Sequence, residues 1–221
     1  MAVITGDDLM PETQNSDSNY LISYRTLRRA IGMIGIGLPI VLVFGENQFG
    51  KPGILDSISS YYWSDSMRDV LVGSLCAIGV FLGAYRGDRD LDVPAGRLAC
   101  VFAIGVALFP CSKPLEPRAW YNFVHYISAA GLFLSLAYFC LFSFTKQDSG
   151  TDPTPKKPLR NRVYVTCGVI IMICIAAIAI LGIFPPENSV KNYVFWLEAS
   201  AIWAFGWSWY IKGKGLGIIQ G

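Results

Sequence analysis

Three ionisable residues of this sequence lie within, or at the edge of, long apolar stretches: Asp69, His125 and Glu198. His125 is the only histidine in the chain. A carboxylate beside an imidazole can bind a metal ion, transfer a proton or act as a general base. Placing such groups inside a membrane is costly, so each should face protein or water and have a partner. These three residues are therefore the first candidates for a functional site.

Zinc is the most specific version of that chemistry. A catalytic zinc site normally takes three protein ligands and leaves one position open, and Asp69, His125 and Glu198 could supply those ligands. Because the chain has a single histidine, we predict no cofactor and retain zinc as an alternative. A Ser-His-acid triad would lack a nucleophile elbow; its candidate serines are Ser59, Ser60 and Ser128.

Polar neighbours of His125 extend the candidate site. Asn122 and Ser128 lie near the same face of the predicted helix as His125, because their positions differ by three. Arg118 precedes this helix and could pair with Glu198. A contact between His125 and Glu198 would equally satisfy both groups as a packing pair without chemistry. The sequence leaves the functional and the packing interpretation open.

A serine-rich segment before Asp69 contains three consecutive aromatic residues, Tyr61, Tyr62 and Trp63. Such residues suit the interface of a bilayer, where an aromatic ring keeps one polar edge in water. They would equally suit a lid over a pocket that opens toward the same side. Arg68, directly before Asp69, could pair with it at the rim.

The elements that must position these residues are apolar and continuous. The 221 residues are 53% hydrophobic and 15% charged, and the charges are concentrated between the apolar stretches. A span needs about 20 residues, and lipid permits only helices or closed barrels. Continuous runs favour helices, so we predict an all-α integral membrane protein with a six-transmembrane-helix bundle. The predicted spans are about 28–45, 69–86, 96–112, 119–144, 163–184 and 193–211.

The positive charges predict the orientation of this bundle. If both termini are cytoplasmic, thirteen of the 18 basic residues fall on the cytoplasmic side, as the positive-inside rule requires. In that topology the second, fourth and sixth helices all run inward. Asp69, His125 and Glu198 therefore share the outer half of the bundle. This placement is the reason to treat them as one site.

The rest of the chain adds little chemistry. Residues 1–22 are predicted to be a disordered acidic cytoplasmic tail, residues 23–212 a single transmembrane domain, and residues 213–221 a second cytoplasmic tail. The six cysteines all lie in apolar stretches without CxxC spacing, which is typical of packing residues. The net charge of +2 indicates no nucleic-acid partner.

Several stretches resemble a family of uncharacterised bacterial multi-span membrane proteins. They are YYWSDSMRDVLVGSLCAIGVFLGAYRG, FVHYISAAGLFLSLAYFCLFSF and VFWLEASAIWAFGWSWYIKG. The resemblance covers the chain from about Tyr24 to Lys212, and the chain is also loosely similar to the six-helix Frag/DRAM-type membrane proteins. It implies the six-helix fold and the bacterial inner (plasma) membrane, and it transfers no catalytic residue.

These observations predict a membrane protein that binds or senses a lipid or small molecule. The pocket would lie in the outer half of the bundle, lined by Asp69, Asn122, His125 and Glu198. An intramembrane hydrolase or lipid-modifying enzyme that uses the same cluster is the first alternative. An oligomeric channel or membrane effector is the second. The expected partners are membrane lipids and, through small-residue helix faces, a second copy of the chain.

Overall fold

The chain folds into an all-α structure. The computed structural model describes residues 11–87, 89–112, 119–146, 155–184 and 192–213, with side chains from Tyr24 onward. Within these residues there are six α-helices and no β-strand. The helices are α1 (Pro11–Phe49), α2 (Arg68–Gly83), α3 (Asp92–Leu108), α4 (Trp120–Tyr138), α5 (Lys157–Ile183) and α6 (Tyr193–Lys212).

Each of the six predicted apolar segments coincides with one of these helices. Three helical stretches are long and apolar enough to cross a membrane by length and composition: Tyr24–Phe49, Trp120–Ser143 and Lys157–Ile183. α2 and α3 are shorter, with 16 and 17 residues, against the roughly 20 that cross a bilayer vertically. The three long apolar stretches indicate that this all-helical chain is a membrane protein.

The largest difference from the sequence prediction is at the start of the chain. α1 has 39 residues and begins at Pro11, so it includes much of the segment 1–22 that was predicted to be a disordered tail. Residues 1–10 and 214–221, which hold the ends of both predicted tails, lie outside the described residues. Pro39 lies inside α1 and removes one backbone hydrogen bond there.

The helices form a closed ring in which each packs against its neighbours in sequence and α6 packs against α1. Glycine permits the closest approach at the α1–α6 contact. A Cβ atom on Gly32 would lie 2.6 Å from the backbone nitrogen of Tyr210 and 2.7 Å from the carbonyl oxygen of Gly206. Because backbone atoms cannot move aside as a side chain can, this crossing requires glycine.

The two ends of the ring have different connections. At one end, the loop from α1 to α2 carries a short 3-10 helix, Ser59–Trp63; we call this the Glu198 end. At the other end, α4 finishes in a π-helical turn, Phe139–Ser143, next to the start of α3; we call this the Asp92 end.

Candidate functional site

Glu198 lies six residues into α6 and is joined to the loop that follows α1. Its Oε2 atom accepts a hydrogen bond from the backbone N–H of Ile58, and the donor and acceptor are 2.6 Å apart. The residues bonded in this way are 140 positions apart in sequence. This carboxylate therefore helps to hold the loop against the body of the bundle.

The same carboxylate lies on the wall of an internal cavity. The cavity has a volume of about 50 Å³, and all its lining residues except Ser59 and Glu198 are apolar. They come from five of the six helices and from the loop: Leu38, Ile58, Ser59, Leu71, Leu75, Ile78, Val106, Ala129, Leu132, Phe133, Leu136, Glu198, Ile202 and Phe205. The bundle thus contains an apolar chamber with one ionisable group.

The loop segment that covers this chamber is fixed by several contacts. Tyr61 is fully buried, and its ring centroid lies 6.2 Å from that of Phe195 on α6. The indole N–H of Trp63 donates to the carbonyl oxygen of Cys111 at 3.1 Å. Burial raises the pKa of the Tyr61 phenol above its usual value. We call residues Ile58–Trp63 the cap.

A further carboxylate at this end, more deeply buried than Glu198, was not among the candidates that the sequence pattern indicated. Glu46, in the last turn of α1, is 5% exposed. Its Oε2 accepts hydrogen bonds from the hydroxyls of Ser64 and of Ser66, the latter at 2.9 Å, and its Oε1 accepts one from the Lys51 N–H at 3.2 Å. Glu46 therefore anchors the part of the loop that leads into α2. An acid at the end of an apolar run, followed by a serine-rich segment, was the available signal.

His125 and its neighbours make their contacts with the end of α3 and the residues that follow it. The Nδ1 atom of His125 lies 2.8 Å from the carbonyl oxygen of Phe109, at the end of α3, and the side chain is buried. The Asn122 amide donates to the Ser112 hydroxyl, while its buried Oδ1 atom has no hydrogen-bond partner in the described part of the chain. Ser128 is also buried and lies against Gly105.

The remaining predicted site residues lie at the surface. Asp69 and Arg68 are both exposed in the first turn of α2. The Arg68 guanidinium donates to the Tyr62 hydroxyl at 2.9 Å and lies 4.5 Å from that ring's centroid, rather than pairing with Asp69. Arg118 lies outside the described residues.

The predicted cluster is thus divided among three environments. Glu198 holds the cap, His125 contacts the end of α3, and Asp69 faces outward from α2. Among the residues that the structure describes, no group of three His, Cys, Asp or Glu side chains is positioned to hold a metal ion. The arrangement around Glu198 suits binding of a small molecule, since one carboxylate faces an apolar chamber.

The most deeply buried acid of the described chain is at the opposite end. Asp92, the first residue of α3, has no exposed surface. It accepts hydrogen bonds from the backbone N–H of Arg89 at 3.1 Å, the Ser143 hydroxyl at 2.9 Å and the Tyr138 hydroxyl at 3.1 Å. Nothing in the sequence marks Asp92 as a candidate, because it lies close to the charged residues of the loop before α3, where an acidic residue is common.

Comparison with known proteins adds a membrane context and no function. The chain matches no protein-family model, and no solved structure matches it. One stretch of 96 residues is 32% identical to mouse (Mus musculus) Solute carrier family 12 member 9. The similarity covers 42% of this chain and 10% of that protein, so the chain spans only a small part of its length.

Proposed function

We propose that all six helices cross the membrane and that both termini lie on the cytoplasmic side of a bacterial plasma membrane. The short helices support this because they present apolar side chains outward: Val80 on α2 is 58% exposed and Val101 on α3 is 64% exposed. The Glu198 end would then face outward. The basic residues in the first part of α1, between α2 and α3 and around the start of α5 would face inward, as the positive-inside rule requires.

Cysteine labelling tests this topology. Asp65 at the Glu198 end and Asp90 at the Asp92 end are both exposed, and the six native cysteines lie in or next to the helices. In intact cells, a membrane-impermeant maleimide should label the Asp65→Cys variant, and it should label Asp90→Cys only after the membrane is opened. The reverse pattern would overturn the orientation.

We further propose that the chain binds a small, mainly apolar molecule in the chamber beneath the cap and senses its presence through Glu198. The observation that carries this proposal is the double role of Glu198. Among the described residues, it is the only ionisable group on the wall of an apolar chamber, and its carboxylate also accepts a hydrogen bond from the cap. A ligand in the chamber therefore reaches the group that holds the cap closed.

The physical basis of sensing is competition for the carboxylate. A ligand that carries one donor, such as an ammonium or hydroxyl group, would bond to Glu198 in place of the Ile58 N–H. The cap would then lose one of the contacts that hold it. The contacts of Tyr61 and Trp63 would favour its return once the ligand leaves. A ligand that bound equally well with the cap closed and with the cap displaced would not shift the equilibrium between these two states. The hydrogen bond that the ligand takes from the cap makes its affinities for the two states differ.

The size of the chamber limits the ligand. About 50 Å³ is room for roughly four water molecules, which is far less than a usual ligand pocket of about 300–1,000 Å³. A ligand with more than a few heavy atoms must therefore displace the cap to enter. A short lipophilic amine fits both requirements, since its chain matches the apolar wall and its ammonium matches Glu198.

Photolabelling with a diazirine-bearing alkylamine, with the matched alkyl alcohol in parallel, tests the proposal. In purified protein in nanodiscs, the amine should label peptides that line the chamber, and excess unlabelled alkylamine should compete. Glu198→Gln should weaken labelling by the amine more than labelling by the alcohol, because both lose a hydrogen bond to a carboxylate but only the amine also loses the attraction between opposite charges.

A chamber-filling variant and a surface variant provide the controls. Ala129→Phe places a ring in the chamber and should abolish labelling by both probes. Ala176→Phe, on the exposed face of α5, should leave both unchanged. If labelling by the amine is unsaturable, or survives Ala129→Phe in a folded protein, the chamber is not the binding site and the proposed function fails.

A further inference from the structure

A second apolar depression lies on the outside of the bundle, between α5 and α6. It has a volume of about 590 Å³, which is within the usual range of ligand sites, roughly 300–1,000 Å³. Its lining is almost entirely apolar and includes two indole rings. The residues are Val163, Cys167, Ile170, Ser200, Trp203, Ala204, Trp207 and Ile211. We call it the α5–α6 groove.

The groove occupies one half of the membrane thickness. On α6 it runs from Ser200 to Ile211, which is about 16 Å at the rise of an α-helix. The hydrocarbon core of a bilayer is about 30 Å thick, so this length matches one leaflet. The groove ends where α5 begins and α6 finishes, which is the Asp92 end of the bundle.

Positive charge is concentrated where the groove ends. The described stretch 155–163 contains four basic residues and no acidic residue, and the stretch 205–213 contains one basic and no acidic residue. Arg160 and Lys156 lie three and seven positions before Val163, so they continue the helical stripe that lines the groove. The five basic residues are Lys156, Lys157, Arg160, Arg162 and Lys212.

We propose that the α5–α6 groove is a binding site for an anionic phospholipid of the leaflet at the Asp92 end. One acyl chain lies in the groove against Trp203 and Trp207, and the phosphate lies among the basic residues at the start of α5. Arg160 and Lys156 are placed to contact it, because they continue the groove toward the headgroup level. Arginine suits the phosphate through its two parallel N–H donors.

The charge asymmetry favours a lipid over a second copy of the chain as the occupant. A groove that receives a helix of a partner needs no cluster of like charges at one end, and two copies would bring these clusters close together. An anionic headgroup neutralises the cluster and is available at that depth in the bilayer. A dimer that buries the groove is therefore the competing outcome of the test.

Native mass spectrometry of the full chain with dioleoylphosphatidylglycerol and dioleoylphosphatidylcholine tests the site. The anionic lipid should bind more tightly than the zwitterionic one. Arg160→Gln should lower the affinity for the anionic lipid about fivefold, the effect expected for one basic residue near a lipid surface. The Lys156→Gln/Arg160→Gln double variant should lower it more than tenfold and should scarcely change binding of the zwitterionic lipid.

Matched variants separate this site from general attraction. Arg97 is exposed on α3 at the same end, and α3 packs against α2 and α4, away from the groove. Arg97→Gln should therefore leave the affinity unchanged. Ser200→Phe fills the groove and should weaken binding of both lipids, whereas Ala176→Phe on the exposed face of α5 should not.

Three results would overturn the site. Equal losses of affinity for the anionic lipid in Arg97→Gln and Arg160→Gln would show that binding depends on net charge and not on the groove. Full competition by inorganic phosphate would show that the acyl chain contributes nothing. A dimer that disappears in Ser200→Phe, with no lipid bound to the monomer, would assign the groove to a second copy. Because these readouts do not involve the cap, they are independent of the chamber that Glu198 lines.

Discussion

A carboxylate lies within the bundle at each end, but Asp92 is fully buried whereas Glu198 is only partly buried. At the Asp92 end, the acid accepts three hydrogen bonds from Arg89, Ser143 and Tyr138 and has no exposed surface. At the other end, Glu198 accepts its hydrogen bond from the cap and borders a cavity. The first acid is surrounded by donors, and the second has space beside it for another molecule.

The packing around each acid follows the same division. Near Asp92, aromatic rings fill the bundle: the centroid of Tyr85 lies 5.0 Å from that of Trp209 and 5.3 Å from that of Phe139. Near Glu198, apolar side chains, most of them aliphatic, line a cavity instead. A buried acid is therefore not by itself a sign of function. What distinguishes the two is whether protein groups already satisfy the carboxylate and fill the space around it.

The π-helical turn explains how Asp92 obtains its partners. At roughly 100° per residue, Tyr138 and Ser143 would lie about 140° apart around an α-helix and could not both reach one carboxylate. The wider turn Phe139–Ser143 brings them toward the same face, since a π turn adds a residue to each turn of helix. The local distortion of α4 thus completes the closed end.

Removing each acid should give the largest contrast between the two ends. Asp92→Ala should lower the free energy of unfolding by about 3 kcal/mol, because three donors, among them the buried Ser143 hydroxyl, lose their acceptor and an unsatisfied buried group costs about 1–3 kcal/mol. Glu198→Ala should lower it by only about 1 kcal/mol, since water can enter the chamber and bond to the backbone N–H groups of Ile58 and Ser59 that lose their acceptor. Unfolding by denaturing detergent, followed by near-UV circular dichroism, measures both. Equal losses would mean that Glu198 is a structural group of the same kind as Asp92.

Adding one methyl group to α1 should give the next largest contrast. Gly32→Ala would place a Cβ 2.6 Å from the backbone of Tyr210, and such overpacking costs about 1–3 kcal/mol. Gly45→Ala, near the Glu198 end, would meet only the flexible Met67 side chain, and the better helix propensity of alanine can offset that contact. Thermal unfolding of the two variants should separate them clearly. A comparable loss in Gly45→Ala would show that the Glu198 end is packed as rigidly as the other.

The sequence predicted the helices well because their signal is local. Each of the six predicted apolar runs coincides with a helix. α1 begins at Pro11, before the first predicted span, because residues 11–22 lack an apolar stripe and their pattern therefore does not separate a helix from a coil. Hydrophobic periodicity predicts a helix only where the sequence carries such a stripe.

The candidate site was predicted only in part because depth does not determine direction. Residue spacing correctly assigned Asp69, His125 and Glu198 to three different helices. It could not show that Asp69 faces outward or that His125 finds its partner in a backbone carbonyl. Backbone partners such as Phe109 and Ile58 carry no side-chain signal, so no pattern of residue types could have named them.

A smaller contrast concerns the dynamics of the two loops. Glu198→Gln should speed hydrogen exchange of the cap amides, Ile58 to Trp63, by about fivefold, since a weakened hydrogen bond of about 1 kcal/mol corresponds to that factor. Hydrogen exchange of the backbone amides from Tyr85 to Asp92 should stay unchanged, because this segment lies at the end of the bundle opposite the cap. Mass-spectrometric hydrogen exchange in nanodiscs measures both segments in one experiment. Faster exchange at both ends would indicate global loosening rather than release of the cap.

The smallest expected contrast is between two arginines that lie over aromatic rings. The guanidinium of Arg28 is 4.4 Å from the Tyr24 centroid and 5.3 Å from the Tyr85 centroid at the Asp92 end, whereas Arg68 contacts only Tyr62 in an exposed position. Cation–π contacts contribute about 0.5–1 kcal/mol when exposed and more when desolvated. Arg28→Gln should therefore lower the melting temperature by about 3 °C, and Arg68→Gln by about half as much or less. A larger loss in Arg68→Gln than in Arg28→Gln would mean that the cation beside Tyr62 is packed more tightly than the one at the Asp92 end. The contrast between the two ends would then be reversed.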